Sequence, residues 1–587
     1  MFAASPRSST SRRMGVEPMS AEFDLHLAAA DEARVAAVVA HARRDQWAER
    51  LMDRDTTLWS TDAAVQETIA DRLGWLDCPA HFTDQIGALE GFGDGVRVAG
   101  FSTAVVMGMG GSSLAPEVLH RTFGSADGYP DLRVLDSTDP AAVAATIDDL
   151  DPISTLWIVA SKSGTTTEPL AFLAEAWARV KNALEAANSD QQPGEFIVAI
   201  TDPGRSVTAI PHHDELREVF LNPPDIGGRY SALSYVGLVP ASLIGLDLDA
   251  LMSSASTMLG ACHEPDPERN PGLHLGITLG ELARAGRDKL TFLADPALAS
   301  FGAWAEQLIA ESTGKHGVGI VPVDREPLGA VGAYGPDRVF VGIGLAGSED
   351  PSGGRLEALA KAGHPVIRIT LDDPMDLGGE FIRWEVATAF AGAVLGIDPF
   401  DQPNVEEAKE RTRRLLAGGE SGRGDPASAS AAPAVEDVAT LGEADLTAAI
   451  KASLGRRHDG RYVAIQAFIA PSAVADASFE RIRALIRDGI GYATTAGYGP
   501  RFLHSTGQLH KGGAPTGWFL QLTSNHPRDR QIPGWPYTFG RLIDAQAQGD
   551  AESLASHDLP ILRLRLGTDH ATDLATLERA LLAALAG

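Results

Sequence analysis

Ser161-Lys162-Ser163-Gly164-Thr165-Thr166-Thr167-Glu168-Pro169 gathers five hydroxyls around one lysine, directly after the apolar run Leu156-Trp157-Ile158-Val159-Ala160. The run reads as a buried parallel strand. Glu168-Pro169 reads as a helix start, because Pro suits the first turn and Glu the positive helix end. A strand, a short polar loop and a helix N-terminus together offer backbone N–H groups and hydroxyls to a phosphate. The chemistry expected here is the grip of a phosphorylated small molecule, with Ser161, Ser163, Thr165 and Thr166 as donors and Lys162 as the cation. Gly108-Met109-Gly110-Gly111-Ser112-Ser113, at the end of another strand, adds Gly111 and Ser112. Glycines there let backbone N–H groups approach an anion closely. This turn lacks the Gly-Lys-Ser/Thr of a P-loop, and Ser113 stands where a dinucleotide fingerprint has its third Gly.

Further motifs carry charge or acid–base capacity. Arg229, in Ile226-Gly227-Gly228-Arg229-Tyr230-Ser231, precedes an apolar helix and can stabilise negative charge on a ligand. Gln307 and Glu311 lie one helical turn apart on one face, and Glu311 falls near the helix C-terminus. The negative helix end disfavours a charged carboxylate, which suits a general base. Lys409 closes a Pro-punctuated turn feeding a helix, Asp398 to Lys409. His504, His510 and Lys511 cluster in Phe502–Gly513 without a carboxylate or Cys at zinc-ligand spacing, so acid–base use is expected and a metal is not. Each motif alone has a plain alternative: a surface Arg in a Gly turn, a solvated helix-end Glu, a solvated Lys. Gly342-Ile343-Gly344-Leu345-Ala346-Gly347 formally fits G-x-G-x-x-G, but Pro351 falls where the helix should be running, so it reads as a strand-end turn.

The elements that must position these residues read as α/β. Residues 1–19 are expected to be a disordered tail and 20–95 mostly helical, with Trp47, Leu51, Trp59 and Trp75 as packing anchors. Strand–loop–helix units then define two doubly wound parallel-sheet domains, 96–250 with the anion loops and 251–416. A Gly/Ser/Ala/Pro-rich linker is expected over 417–436, and a smaller α/β unit carrying His504 over 437–587. The net charge of −29 argues against nucleic-acid or anionic-membrane partners. No apolar run reaches membrane-spanning length, residues 1–19 have no apolar core of a secretory signal, and the two cysteines lack metal-ligand spacing. A cytoplasmic protein is expected.

Together these motifs resemble the phosphoglucose isomerase family, over about residues 95–587. The Gly-Gly-Ser turn, the Ser161–Thr166 loop, Gly-Gly-Arg229-Tyr-Ser, Gln307-x-x-x-Glu311 and Phe-Asp-Gln-Pro-x-Val-Glu-x-x-Lys409 carry the likeness. It implies two sugar-isomerase (SIS-like) domains and interconversion of glucose 6-phosphate and fructose 6-phosphate without a cofactor. It also implies Glu311 as the base, Arg229 on the enediolate, and His504 with Lys409 at ring opening. Two departures stand out. Gly164 replaces an aromatic residue, and the histidine motif follows Lys409 instead of preceding it, as in the isomerase half of bifunctional transaldolase/phosphoglucose isomerase proteins. The family implies a homodimer, while the late His504 leaves open a site closed by the chain's own third unit. A sugar-phosphate-sensing module and an isomerase that also accepts mannose 6-phosphate are the competing expectations.

Overall fold

The computed structural model describes residues 22–350, 352–417, 433–455 and 460–586; the expected tail and positions 418–432 of the expected linker lie outside them. Three five-stranded sheets organise the described chain. The chain enters through β1 (Glu22–His26). The first sheet contains β2 (Thr103–Gly108), β3 (Asp131–Leu135), β4 (Thr155–Ala160), β5 (Ile197–Thr201) and β6 (Glu218–Leu221). Its order is β3-β2-β4-β5-β6, with every pairing parallel. The second contains β7 (Lys289–Ala294), β8 (Val321–Val323), β9 (Arg338–Leu345) and β10 (Val366–Leu371), ordered β1-β10-β9-β7-β8 and parallel except where β1 joins β10. The third is wholly parallel: β11 (Glu436–Asp437), β12 (Tyr462–Phe468), β13 (Ala493–Tyr498), β14 (Gly517–Ser524) and β15 (Ile561–Leu566), ordered β11-β15-β14-β12-β13.

Strands β2 and β4 are buried at every position. Parallel strands sandwiched between helix layers need apolar side chains on both faces, and TAVVMG and TLWIVA supply them. The chain order reverses between these two neighbours, since β2 leads out to β3 while β4 leads to β5. In an open parallel sheet such a reversal leaves a crevice beyond the strand C-termini. The two anion loops are the segments that follow β2 and β4.

Three readings of the sequence need correction. The region 20–95 is not helical from its start, because Glu22–His26 is a strand. Phe23 and Leu25 pack on the core while Asp24 and His26 are exposed, the period-two pattern of an edge strand, and Asp24 pairs with Arg368 at 3.2 Å. Glu436, expected in the linker, pairs in β11 with Leu564. The third unit has a further strand, β13, which the sequence does not announce because ATTAGY has no apolar run; it sits at a sheet edge. The Gly342–Gly347 segment begins inside β9, and the next helix starts only at Arg355. A Cβ on Gly342 would lie 2.4 Å from a Leu356 methyl, so this glycine serves helix-on-sheet packing.

The third unit is held to the other two by arginines. Arg483 donates to the Asp324 and Arg325 carbonyls at 2.7 and 2.9 Å, and Arg487 to that of Pro327. Buried Glu326 accepts from Arg338 and from the Thr494 N–H. Arg501 reaches the first unit, pairing with Glu117 and, at 3.3 Å, with Asp136. Helix Phe539–Ser556 lies along helix Val405–Ala417, where Gly549 leaves room for Thr412.

Candidate active site

One cleft of about 560 Å³ is lined by both anion loops, Arg229, Gln307, Glu311, Gln402, Lys409, His504, Lys511, Leu542 and Gln546. All three units contribute. That volume lies within the ordinary range for small-molecule sites.

The loop Ser161–Thr166 feeds helix Thr167–Ala187. Ser161 Oγ donates to Thr166 Oγ1 at 3.2 Å, and the Ser163 and Thr165 hydroxyls lie 2.9 Å apart. Gly164 has φ +65°, and a Cβ there would stand 2.0 Å from the Ser206 carbonyl oxygen, so the turn accepts only glycine. Lys162 Nζ is held by Asp202 at 2.5 Å and by the Pro224 carbonyl at 2.7 Å. Burial pushes the Asp202 carboxyl up against the pull of Lys162. On the other loop, Ser112 lines the cleft while Ser113 is buried and bonded to the Gly110 carbonyl. A Cβ on Gly111 would lie 1.9 Å from the Gly228 carbonyl oxygen, and one on Gly110 would lie 2.7 Å from that of His504. Glycine at these two positions brings the anion turn, the Arg229 turn and the His504 turn into contact.

Arg229 is buried with its donors engaged. Nε gives to Ser312 Oγ at 2.7 Å, Nη1 to Gln402 Oε1 at 2.7 Å, and Nη2 to the Pro399 and Asp401 carbonyls at 2.8 and 3.0 Å. Nη1 also stands 3.5 Å from Glu311 Oε1. The second oxygen of Glu311 accepts from Gln307 Nε2 at 3.2 Å, and that amide also donates to the His504 carbonyl at 2.8 Å. The guanidinium therefore opposes the helix-end field on Glu311 that the sequence suggested. With both acceptors on Nε2, Gln307 Oε1 is left buried without a hydrogen-bond partner.

His504 ends a 3₁₀ turn, Arg501–His504, and its Nε2 lies 3.1 Å from Glu168 Oε1. Burial raises the Glu168 carboxyl, but His504, then the backbone N–H of Glu168 itself and Lys409, hold it below the ordinary glutamate value. Lys409 lines the cleft and donates to Glu406 at 3.0 Å. His510 is not among the lining residues. It is packed by Tyr462, Phe502 and Phe519, and burial drives its pKa well down, so it is a neutral core imidazole. Lys511 does line the cleft, with Nζ 2.6 Å from buried Asp550. Gln508 fixes the short helix Gly507–Gly512, donating to the Gly314 carbonyl at 2.9 Å and to Asn404 Oδ1 at 2.8 Å.

Residues the motifs did not single out are Glu168 as partner of His504, Gln402 as partner of Arg229, Gly110, and Gln546. For Gln402 a signal existed, since it lies inside the Phe-Asp-Gln-Pro pattern. Gln546 reaches the site across 378 residues, and nothing local marks it. Cys78 and Cys262 are both buried and unpaired. Among the described residues no His, Cys, Asp and Glu group has metal-binding geometry.

Parallel α/β sheets, an anion loop on a helix N-terminus and a carboxylate beside a guanidinium in one cleft define an α/β protein equipped for proton transfer on a phosphorylated ligand. A family model described as phosphoglucose isomerase matches residues 62–323. That span holds the anion loops, Arg229, Gln307 and Glu311 and ends before Lys409 and His504. Glucose-6-phosphate isomerase of Rubrobacter xylanophilus is 33% identical over 405 residues, covering 60% of this chain and 90% of that protein. The enzyme of the same name from Symbiobacterium thermophilum is 30% identical over 393 residues, covering 58% and 86%. Among solved structures, a hypothetical protein of Thermus thermophilus aligns with a TM-score of 0.56 and 25% identity over 68% of this chain and all of that one. A glucose-6-phosphate isomerase from Chlamydia trachomatis shares the fold, with a TM-score of 0.53 and 20% identity over 68% of this chain and 89% of that one. The chain belongs to the phosphoglucose isomerase family.

Proposed function

We infer that this chain is an aldose–ketose isomerase that interconverts glucose 6-phosphate and fructose 6-phosphate through ring opening and an enediolate. The observation that carries the reading is Glu311, a buried carboxylate 3.5 Å from Arg229 and bonded to Gln307, in the same cleft as the anion loop. In the proposed reaction Gly111, Ser112, Ser161, Lys162, Ser163, Thr165 and Thr166 hold the phosphate and so orient the reacting end. His504 takes the proton of the hydroxyl at C1 and, with Lys409, passes one to the ring oxygen, giving the open chain. Glu311 removes the C2 proton and returns it to C1. Arg229 faces the negative charge that grows as the enediolate forms, so it contributes to rate more than to binding. Gln307 Oε1, left without a partner by the protein, is the acceptor for a sugar hydroxyl.

All of these groups come from one chain, so the proposed site is assembled without a partner's residues, and the homodimer that the family resemblance implies is not needed to complete it. No described helix is long and apolar enough to cross a membrane. The expected location is the cytoplasm.

The test is a coupled assay of fructose 6-phosphate conversion with EDTA present and no cofactor added, repeated with mannose 6-phosphate. Turnover with fructose 6-phosphate supports the reading, and turnover with both broadens the substrate class. Saturable sugar-phosphate binding without turnover would return the chain to the sensing class.

A further inference from the structure

The Glu168 carboxylate that meets His504 is itself held from the third unit. Gln546, on helix Phe539–Ser556, donates Nε2 to Glu168 Oε1 at 2.7 Å, the oxygen that also meets His504 Nε2. The other end of the same amide accepts from Thr138 Oγ1 at 2.6 Å. These three partners are almost closed to solvent: Glu168 is 6% exposed, Gln546 3% and Thr138 0%. A carboxylate can only accept, so the Glu168 contact fixes which way the amide points, and the Thr138 hydroxyl then holds the amide oxygen in place. A flipped amide would set two acceptors against each other at Glu168 while leaving its NH₂ on Thr138. Gln546 is thus a rigid donor, clamped at both ends by the protein itself.

We propose that Gln546, locked by Thr138, is a positioning residue for ring opening: it pins the Glu168 carboxylate so that one oxygen receives the His504 N–H and the other imidazole nitrogen is presented to the sugar. The proposal rests on the isomerase reading above. Its physical basis is geometric. A carboxylate held only by His504 and its own backbone N–H can still swing about its side-chain bonds, and the imidazole it orients would move with it. The fixed Gln546 donor on the same oxygen restricts that freedom, and small misplacement of a proton-transfer group is costly in rate. The second donor also favours the charged carboxylate. Other charged or titratable groups within electrostatic reach of this pair include Lys409 and Tyr537 for Glu168 and Asp136 for His504. None of them occupies the place of the Gln546 amide.

The test uses the full chain and separates ring opening from proton transfer at carbon. Anomer exchange of glucose 6-phosphate, followed by magnetisation-transfer NMR, reads ring opening, and deuterium entry at C2 reads the Glu311 step. Gln546→Leu is expected to slow anomer exchange about 10- to 100-fold with KM little changed. The acid limb of its pH profile moves to higher pH, since Glu168 loses a donor that favours its charged form. Thr138→Val, which frees the amide to turn, shifts both readouts in the same direction, and Thr138→Ser restores them. Wild-type anomer exchange in Gln546→Leu overturns the proposal. So does a loss accompanied by an unmoved acid limb and by equal behaviour of Thr138→Val and Thr138→Ser, the pattern of mere packing. If Gln546→Leu fails to fold, the Thr138 pair decides alone. Absence of isomerisation in the wild-type chain would remove the functional reading and this proposal together, whereas an active wild type with unaffected variants removes only the proposal.

Discussion

Replacing Glu311 by Gln changes one atom of the cleft and almost nothing of its shape. Glu311 uses one oxygen toward Arg229 Nη1 at 3.5 Å and the other to accept from Gln307 Nε2 at 3.2 Å. The amide of Glu311→Gln keeps one acceptor and turns a donor toward the remaining donor, so one weak contact is lost. Arg229 keeps its bonds to Ser312, Gln402, Pro399 and Asp401, and Gln307 keeps the His504 carbonyl. One lost hydrogen bond costs about 1 kcal/mol, which leaves the fold intact. The effect on rate is of a different size. An amide cannot accept the C2 proton, and a positioned base contributes about 10²- to 10⁴-fold. At about 1.4 kcal/mol per tenfold, the barrier rises by about 3–5 kcal/mol. Isomerisation and deuterium entry at C2 should both fall by that factor. Anomer exchange, assigned to His504 and Lys409, and the dissociation constant for fructose 6-phosphate should change only a few-fold. Isomerisation within about tenfold of wild type would remove Glu311 as the base.

Three other outcomes are expected. Gly164→Ala places a Cβ 2.0 Å from the Ser206 carbonyl oxygen in a loop with φ +65°. The left-handed conformation alone costs about 1–2 kcal/mol, and the loop must also shift, so KM should rise about tenfold or more while saturated turnover falls less. Equal mixtures of Glu311→Gln and His504→Ala chains, refolded together, should show no more than the sum of the parents, because one chain supplies both groups. Recovery of a substantial part of wild-type turnover would mean that His504 serves a partner's cleft. Burial, and then the field of Arg229, lower the Lys315 pKa to about 8, and Lys315 holds Asp401 at 2.5 Å in the turn that anchors Arg229. Activity should fall as pH rises through about 8, and Lys315→Arg, which stays charged, should move that limb upward. Above that pH the native state releases this proton before the unfolded chain does. Lys315 therefore adds stability as pH rises from about 8 toward the ordinary lysine value, and thermal unfolding monitored across the limb should show no parallel loss.

The parts of this molecule that could be read from sequence are those whose physics is local. The Ser161–Thr166 loop betrays itself because a buried strand must end in residues that tolerate a tight turn. Gln307 and Glu311 share a face because helices repeat in that way. The N-terminal strand β1 is hidden by its brevity, with only Phe23 and Leu25 alternating before the helix signal begins. Strand β13 is hidden because an edge strand can be built from ATTAGY without an apolar run. The histidine cluster is legible as chemistry but not as geometry. His504 and His510 are six residues apart, yet one faces the cleft and the other fills an aromatic core, and only the packing of Tyr462 and Phe519 decides which. The supports of His504 are invisible for the same reason. Its contacts with Glu168, and those of Glu168 with Gln546 and of Gln546 with Thr138, span 336, 378 and 408 residues.

Electrostatics imposes one further demand on this arrangement. A chain of net charge −29 disfavours the approach of a phosphorylated ligand, so the cleft must supply the affinity locally. It does not do so with free cations. Lys162 is paired with Asp202, Lys409 with Glu406 and Lys511 with Asp550, and Arg229 has Glu311 beside it. Each cation is held in place by an acid and gains rigidity at the expense of net charge. In the proposed site the paired Lys162 therefore shares the phosphate with the N-terminus of helix Thr167–Ala187 and with serine and threonine hydroxyls, which are neutral donors. Recognition of this kind depends on loop geometry more than on charge number, which is why Gly164, Gly110 and Gly111, carrying no charge, are as necessary to the proposed site as any lysine in it. It also leaves the strongest cation, Arg229, facing Glu311 and able to respond to charge that appears only during the reaction.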